Sequence, residues 1–271
     1  TWDSNAVTLN PNGSEKIGGD NTADPTLRTE GGALLLVYVD GIQGWLTTQE
    51  SVTTSPTGAE KFITATGGTP CTGAICGDYK VHSFTGPGTF TVSSLATCAA
   101  NDVVAYMVVA GGGGGGGEYG GGGGGGGFRE GTTSPIVPYS ASPLVAATGI
   151  TVTASPYSIV VGAAGSPGTF PGSPCTAGGS GSTSTFSTID SAGGGGGADE
   201  SSGIAGGSGG GGSYNTSAGG AGDTPPTTPD QGFAGGTGGP VAPHYTTGGG
   251  GGALEAGVAG APGGSGRGGV G

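Results

Sequence analysis

Apolar and alternating residues occur along this chain in short stretches bounded by turn-forming residues, and this pattern predicts β-strands without helices. The longest apolar stretch, 33–39, is turned back by Asp40 and Gly41 into 44–48, which predicts a hairpin. Ala253–Ala256 is too short to form a stable helix. The predicted strands are 6–9, 33–39, 44–48, 60–65, 79–84, 89–92, 103–110, 150–154, 157–161 and 184–189. Gly86, Pro87 and Gly88 are expected to turn 79–84 back into 89–92.

The apolar run 34–37 has no polar alternation, which is typical of a strand buried on both faces. A β unit of about 50 residues is too small to cover both faces of such a strand by itself. The pattern therefore predicts an oligomer in which other subunits cover the second face.

Solid runs of glycine interrupt the strand pattern in the second half of the chain. Glycine contributes 71 of the 271 residues, about four times the usual share of roughly 7%. The runs are not collagen, because glycine does not recur at every third position. The longest runs are 111–117, 120–127, 193–197, 209–212 and 248–252.

Glycine runs can fold without side chains if they adopt the polyproline II conformation, which has three residues per turn and no internal hydrogen bonds. Their N–H and C=O groups then point outward, and neighbouring runs can pair these groups because no Cβ atoms keep the backbones apart. Disorder is the alternative for such a composition. Only 9% of the residues are charged, and the spacers between the runs carry aromatic residues, which favours an ordered bundle.

The formal net charge of −12 argues against a nucleic-acid partner and against binding to anionic membranes. No apolar stretch reaches the roughly 18 residues that a membrane-spanning helix needs. The sequence therefore predicts neither nucleic-acid binding nor membrane insertion.

The sequence has four cysteines. Cys71 and Cys76 enclose a short segment that a disulfide could close into a hairpin loop. A Cys71–Cys76 disulfide, free thiols and a zinc site are all compatible with this spacing. Cys98 and Cys175 are isolated in the sequence, and neither His82 nor His244 forms a ligand pair with them. No metal or cofactor is predicted.

The segments 84–92, 103–110 and 111–117, in this order, resemble the glycine-rich domain of bacteriophage tail-fibre and adhesin proteins. Segment 157–165 is similar to a following phrase of that family, and 182–187 to the next one. At the N-terminus, 8–17, 37–40 and 44–46 resemble small β modules of phage tail fibres.

This resemblance implies a receptor-binding fibre tip located in the virion tail, outside the host cell. It implies a homotrimer attached to other virion tail proteins, packed polyglycine II helices, and recognition of a host-surface glycan or outer-membrane protein. The alternative is a structural subunit of an extracellular filament. The expected organisation is a β module at 1–50, a connector at 51–77 and a glycine-rich domain at 78–271, with strands in 78–110 and 150–190.

Aromatic residues in the spacers are the candidates for receptor contact, since aromatic rings stack on sugar faces and offer a large contact area. Capping of the ends of the glycine bundle is the alternative role for each of them. The candidates for receptor contact are Tyr119, Phe128, Tyr214, Phe233, His244 and Tyr245.

No acid pair or nucleophile motif predicts catalysis, and Asp20, Asn21 and Asp24 lack the spacing of a calcium loop.

Overall fold

In a computed structural model each stretch predicted as a strand contains strand residues, and no α-helix occurs in the residues that it describes. Two predicted strands need correction, since 103–110 is divided into two strands and 184–189 includes a turn between two strands. One 3₁₀ turn lies at Ala99–Asn101. The chain divides into two compact units, one formed by Thr1–Phe62 with Ala96–Asn101 and the other by Ile63–Leu95 with Asp102–Gly271. The structure describes residues 7–10, 12–17, 26–27, 34–41, 44–50, 62–76, 79–96, 98–133, 141–171, 175–241, 244–264 and 266–271.

The first unit contains two antiparallel strand pairs. Strand β1 (Val7–Thr8) pairs with β2 (Thr26–Leu27), and β3 (Leu34–Asp40) pairs with β4 (Gly44–Glu50). The β3–β4 pair confirms the predicted hairpin. Leu35 and Val39 are about half exposed, so the described residues leave part of this apolar strand uncovered.

The second unit begins with twelve further strands among the described residues, arranged in four sheets. A five-stranded sheet has the order β16-β15-β14-β8-β5 and a three-stranded sheet the order β10-β11-β12, while β13 pairs with β9 and β6 with β7. The strands are β5 Thr64–Thr66, β6 Thr69–Cys76, β7 Tyr79–Ser83, β8 Gly88–Ser94, β9 Val103–Val104, β10 Tyr106–Val109, β11 Phe128–Gly131, β12 Val145–Ala146, β13 Ile150–Thr151, β14 Pro156–Val160, β15 Ser184–Phe186 and β16 Ile189–Ser191.

Apolar side chains of these strands form one core, to which Phe90, Val92, Val108, Val152 and Phe186 contribute. The ring of Phe90 meets that of Phe186 edge to face, with their centroids 6.0 Å apart. Burial of such side chains is the ordinary source of stability in a small sheet core.

Two sequence expectations about pairing need correction. Strand β8 does not return along β7 but pairs with β5 and β14, while β7 pairs with β6. The segment between Cys71 and Cys76 is not a hairpin loop, since both cysteines lie on β6, where they are exposed and unbridged. Strand β6 also lies within 51–77, the segment expected to be a connector with a single strand at 60–65.

Glycine-rich segments that are neither α-helix nor β-strand make up the rest of the second unit, and we call them rods. Within the described residues the chain forms twelve rods. Rods 1 to 12 are residues 111–117, 120–127, 162–169, 175–182, 192–198, 203–207, 208–213, 217–222, 231–240, 246–252, 256–261 and 266–271.

Hydrogen bonds between rods recur every three residues. In rod 1, the N–H groups of Gly111, Gly114 and Gly117 donate to carbonyls of rod 4, with N···O distances of 2.9–3.0 Å. The N–H groups of Gly113 and Gly116 donate to rod 2. A β-strand bonds a neighbour with a period of two residues, whereas the polyproline II helix has three residues per turn. The rods are therefore polyglycine II helices that hydrogen-bond to one another, as the sequence predicted.

Rod 5 lies at the centre of this network. Every carbonyl from Ala192 to Ala198 accepts a backbone hydrogen bond, from rods 2, 6 and 4 in turn. Its N–H groups donate to rods 1 and 7 at Gly194, Gly195, Gly197 and Ala198. A Cβ atom added to Gly196 would collide with the carbonyl of Gly178. The bundle thus has a core of main chain, and glycine is required there because only glycine leaves room for the neighbouring backbone.

Buried polar side chains hydrogen-bond to the backbone where the rods meet the sheets. Gln231 is 1% exposed; its Oε1 accepts from the Ala192 N–H at 2.8 Å and its Nε2 donates to the Pro225 carbonyl at 2.7 Å. The hydroxyl of buried Ser208 lies within hydrogen-bond distance of the carbonyl oxygens of Gly126 and Gly252, at 2.9 and 3.1 Å. These side chains satisfy backbone groups that the turning chain would otherwise leave unpaired.

Candidate functional site

Consecutive rods run antiparallel, which sorts their connecting turns between two ends of the bundle. The register of rods 1 and 2, for example, brings Gly113 to Gly124 and Gly116 to Gly121. Turns that follow odd-numbered rods therefore lie at one end, which we call the tyrosine end. Turns that follow even-numbered rods lie at the other, which we call the sheet end. The tyrosine end includes the turns 118–119, 199–202 and 214–216 and the segment that ends at Tyr245.

Three tyrosines from three different turns meet at the tyrosine end. The rings of Tyr119 and Tyr245 are stacked with their centroids 5.1 Å apart. The ring of Tyr214 lies 5.7 Å from each of them, tilted at 68° and 60°. Tyr119 remains 49% exposed and Tyr245 41% exposed. We call this group the tyrosine triad; its members pack against one another and still present ring surface to solvent.

Glu200 extends the triad with a carboxylate. The Tyr214 hydroxyl donates to Oε1 of Glu200 at 2.9 Å. This hydrogen bond, together with the negative charge, raises the pKa of Tyr214 above its ordinary value of 10.0. Tyr214 is therefore a hydrogen-bond donor at neutral pH, and its side chain is held by this hydrogen bond and by contacts with the rings of Tyr119 and Tyr245.

Strained backbone is concentrated in the same turns. Among the described non-glycine residues with positive φ, most belong to the tyrosine end: Tyr119 at 50°, Glu200 at 48°, Asn215 at 66°, Thr216 at 54° and Tyr245 at 46°. Side chains other than Asn and Asp rarely adopt this conformation, and its cost is of order 1 kcal/mol or more per residue. Turns held in such a conformation point to a function that requires the geometry.

Carboxylates predominate in the turns of this end. Glu118, Asp199 and Glu200 belong to these turns, and Arg267, the second residue of rod 12, is paired with Glu255. Exposed His244 is the basic side chain nearest in sequence to the triad. The surface therefore combines aromatic rings with carboxylates.

The structure separates the six candidate residues into two groups. Tyr119, Tyr214 and Tyr245 form the triad, and His244 is adjacent to Tyr245 in the chain. Phe128 begins β11 and Phe233 lies near the start of rod 9, so both are at the sheet end. Glu200 was not a candidate, because an exposed Asp-Glu pair in a loop carries no signal in the sequence until its partner Tyr214 is known.

Among the described residues, no group of three or more His, Cys, Asp or Glu side chains is arranged to hold a metal ion. Asp20, Asn21 and Asp24 lie outside those residues. The described part of the chain also lacks a helix that is long and apolar enough to cross a membrane.

A family described as the glycine-rich domain matches residues 83–271. No curated protein matches the chain, and no solved structure matches it either.

Proposed function

This chain belongs to the glycine-rich domain family, and we propose that it is the receptor-binding tip of a viral tail fibre. In this proposal the tyrosine end binds a molecule on the host cell surface, a glycan or an outer-membrane protein, and performs no catalysis. The observation that carries the proposal is the tyrosine triad, which collects exposed rings from three separate turns on a hydrogen-bonded scaffold.

The scaffold supports this role because its stability does not depend on the turns. Rods pair through their backbones, so the residues between them can differ without loss of the bundle core. Recognition proteins commonly carry variable loops on a rigid framework for this reason. Rings that are already packed and strained into position also lose little conformational entropy when they bind.

The negative charge of the tyrosine end restricts the chemical class of receptor that it can bind. The carboxylates of Glu118, Asp199 and Glu200 would repel a phosphorylated or carboxylated glycan. Tyrosine rings stack on the apolar faces of sugars, and carboxylates accept hydrogen bonds from sugar hydroxyl and amino groups. The proposed receptor surface is therefore neutral or amine-bearing.

A homotrimer on the virion is part of the proposal. The exposed apolar residues Leu35, Val37 and Val39 of β3 fit an interface with other copies of the chain. Several copies would convert weak individual contacts into avid attachment.

Binding to glycan arrays and to bacterial cells tests the proposed site. The full chain, labelled with a fluorophore, is compared with the double variant Tyr119→Ala/Tyr245→Ala and with the control Leu254→Ala, an apolar side chain of similar exposure at the sheet end. Truncating central aromatic residues typically costs 2 kcal/mol or more, so we expect about a thirtyfold loss of binding in the double variant. Thermal unfolding verifies that each variant is folded. Unchanged binding in the double variant, or an equal loss in Leu254→Ala, would overturn the proposed site.

Electron microscopy of the native particle distinguishes the fibre tip from the filament subunit. Three-fold density with the glycine rods at the end of a virion fibre supports the fibre tip. An unbounded helical polymer of this chain would replace it with the filament.

A further inference from the structure

A groove of about 430 Å³ opens at the sheet end of the bundle, away from the tyrosine triad. Its size falls within the roughly 300–1,000 Å³ of small-molecule sites. Residues from β10, β11 and the β15–β16 turn surround it, and most of their polar groups are hydroxyls. The polar lining consists of Tyr106, Arg129, Thr148, Thr151, Ser187, Thr188 and Thr228.

Arg129 supplies the groove with a positive charge. Within the described part of the chain, this half-buried guanidinium has neither a salt bridge nor a hydrogen bond. Its neighbour on β11, Glu130, is 4% exposed, and its carboxylate accepts from the backbone N–H of Ser142 at 2.9 Å and from the Ser142 hydroxyl. Adjacent strand residues point to opposite faces, so Glu130 does not pair with Arg129.

Tyr106 adds a second donor without a protein partner. Its side chain is 8% exposed, and its hydroxyl makes no hydrogen bond with any residue that the structure describes. Burial raises the pKa of Tyr106, against a smaller opposing effect of Arg129. The phenol therefore stays protonated at neutral pH. The hydroxyl belongs to the lining of the groove, where it can donate a hydrogen bond to a ligand.

We propose that this groove binds the oxyanion of a small acidic ligand, with the Arg129 guanidinium as charged donor and the Tyr106 hydroxyl as second donor. The planar fork of an arginine matches carboxylate and phosphate oxygens equally well. Surrounding threonine and serine hydroxyls can bond the remaining oxygens. The site is chemically opposite to the tyrosine end, whose carboxylates repel such ligands.

Isothermal titration of the full chain with sodium phosphate and with sodium glucuronate tests the proposal, and glucose serves as the neutral control. Arg129→Gln removes the charge, and Tyr106→Phe removes the hydroxyl while keeping the buried ring. Arg267→Gln is the matched control, because Arg267 is exposed and already paired with Glu255 at 2.9 Å. Thermal unfolding verifies the fold of each variant.

We expect the wild type and Arg267→Gln to bind at least one of the two anions with a dissociation constant of about 1 mM or lower. Glucose should not bind. Arg129→Gln should weaken binding about tenfold or more and Tyr106→Phe severalfold, as expected for charge-assisted and neutral hydrogen bonds. Tighter binding of glucuronate would identify an acidic sugar as the ligand source, and tighter binding of phosphate a phosphoryl group. Failure of the wild type to bind either anion, or equal weakening in Arg267→Gln, would overturn the proposal.

Discussion

The sheet core and the rod core of the second unit exclude water by different means. In the sheets, Phe90, Val92 and Phe186 bury apolar side chains against one another. In the bundle, rod 5 buries its backbone, and its carbonyls are paired with rods on several sides. The sheet core depends on the shape of side chains, whereas the rod core depends on their absence. The two regions should therefore respond in opposite ways to the same kind of substitution.

Adding one methyl group to the centre of the bundle should have the largest effect. The Cβ atom of Gly196→Ala would overlap the carbonyl of Gly178. Because both are rigid, hydrogen-bonded backbone, we expect a loss of more than about 4 kcal/mol, which would abolish cooperative unfolding of the bundle. Thermal and urea unfolding measure the effect.

Gly112→Ala and Gly115→Ala in rod 1 are the matched controls. At Gly112 the nearest atom to an added Cβ is the carbonyl oxygen of Gly124, 3.5 Å away, and at Gly115 it is that of Gly121, 3.8 Å away. We expect changes within about 1 kcal/mol at both positions, since a compatible alanine mainly restricts the unfolded chain. Tolerance at this interval of three, with intolerance at Gly113 and Gly114 between them, is the mutational signature of the rods. Uniform tolerance along rod 1 would contradict the packing.

Removing a large side chain should be the next most damaging change, and it belongs to the sheet core. Phe90 is 7% exposed and packs against His82 and Phe186. Phe90→Ala should lower the free energy of unfolding by about 3–5 kcal/mol, because it leaves a cavity. Denaturant unfolding monitors the loss, and a cost below about 1 kcal/mol would show that this core is not close-packed.

Removing the side-chain hydrogen bonds of Gln231 should have an intermediate effect on stability. Gln231→Met keeps the length of the side chain but removes the partner of the half-buried Ala192 N–H and of the carbonyl of exposed Pro225. Because water can reach the Pro225 carbonyl, a cost of about 1–2 kcal/mol is expected. Thr216→Ala, which removes only an exposed hydroxyl bonded to the carbonyl of Asn215, is the control and should be nearly neutral. Equal stability of the two variants would show that the side-chain hydrogen bonds of Gln231 do not stabilise the bundle.

Titration of Tyr214 should give the smallest effect. Its hydrogen bond to Glu200 raises the pKa in the folded protein, so the stabilisation is present below the ordinary value of 10.0 and is lost as the pH rises through the raised pKa. Ultraviolet difference titration against Tyr214→Phe isolates this group. In Glu200→Gln the charge of the acceptor is removed and the pKa should fall toward 10.0. An unchanged pKa would show that the bond is not maintained in solution.

How much of this could be predicted from the sequence also differs between the two regions. Alternating apolar residues predicted most strands, and the glycine runs predicted polyglycine II helices. The pairing of β8 with β5 and β14 was missed, because the turn at 86–88 favours a local hairpin and the pattern does not identify distant partners.

The arrangement of the rods could not be predicted at all. Glycine carries no side chain, so nothing in runs such as 111–117 and 193–197 specifies which rod lies beside which. For that reason Tyr119, Tyr214 and Tyr245 could be predicted as candidates, but not their proximity to one another. Their separation from Phe128 and Phe233 could not be predicted either.

Hydrogen exchange of glycine amides tests the central claim, that backbone hydrogen bonds form the core of the bundle. In protein labelled with ¹⁵N-glycine, Gly194, Gly195 and Gly197 of rod 5 should exchange only through global unfolding of the bundle. Gly263, which lies in a turn with open space around it, should exchange quickly. Exchange of the rod 5 amides at the rate of an unstructured chain would contradict the account.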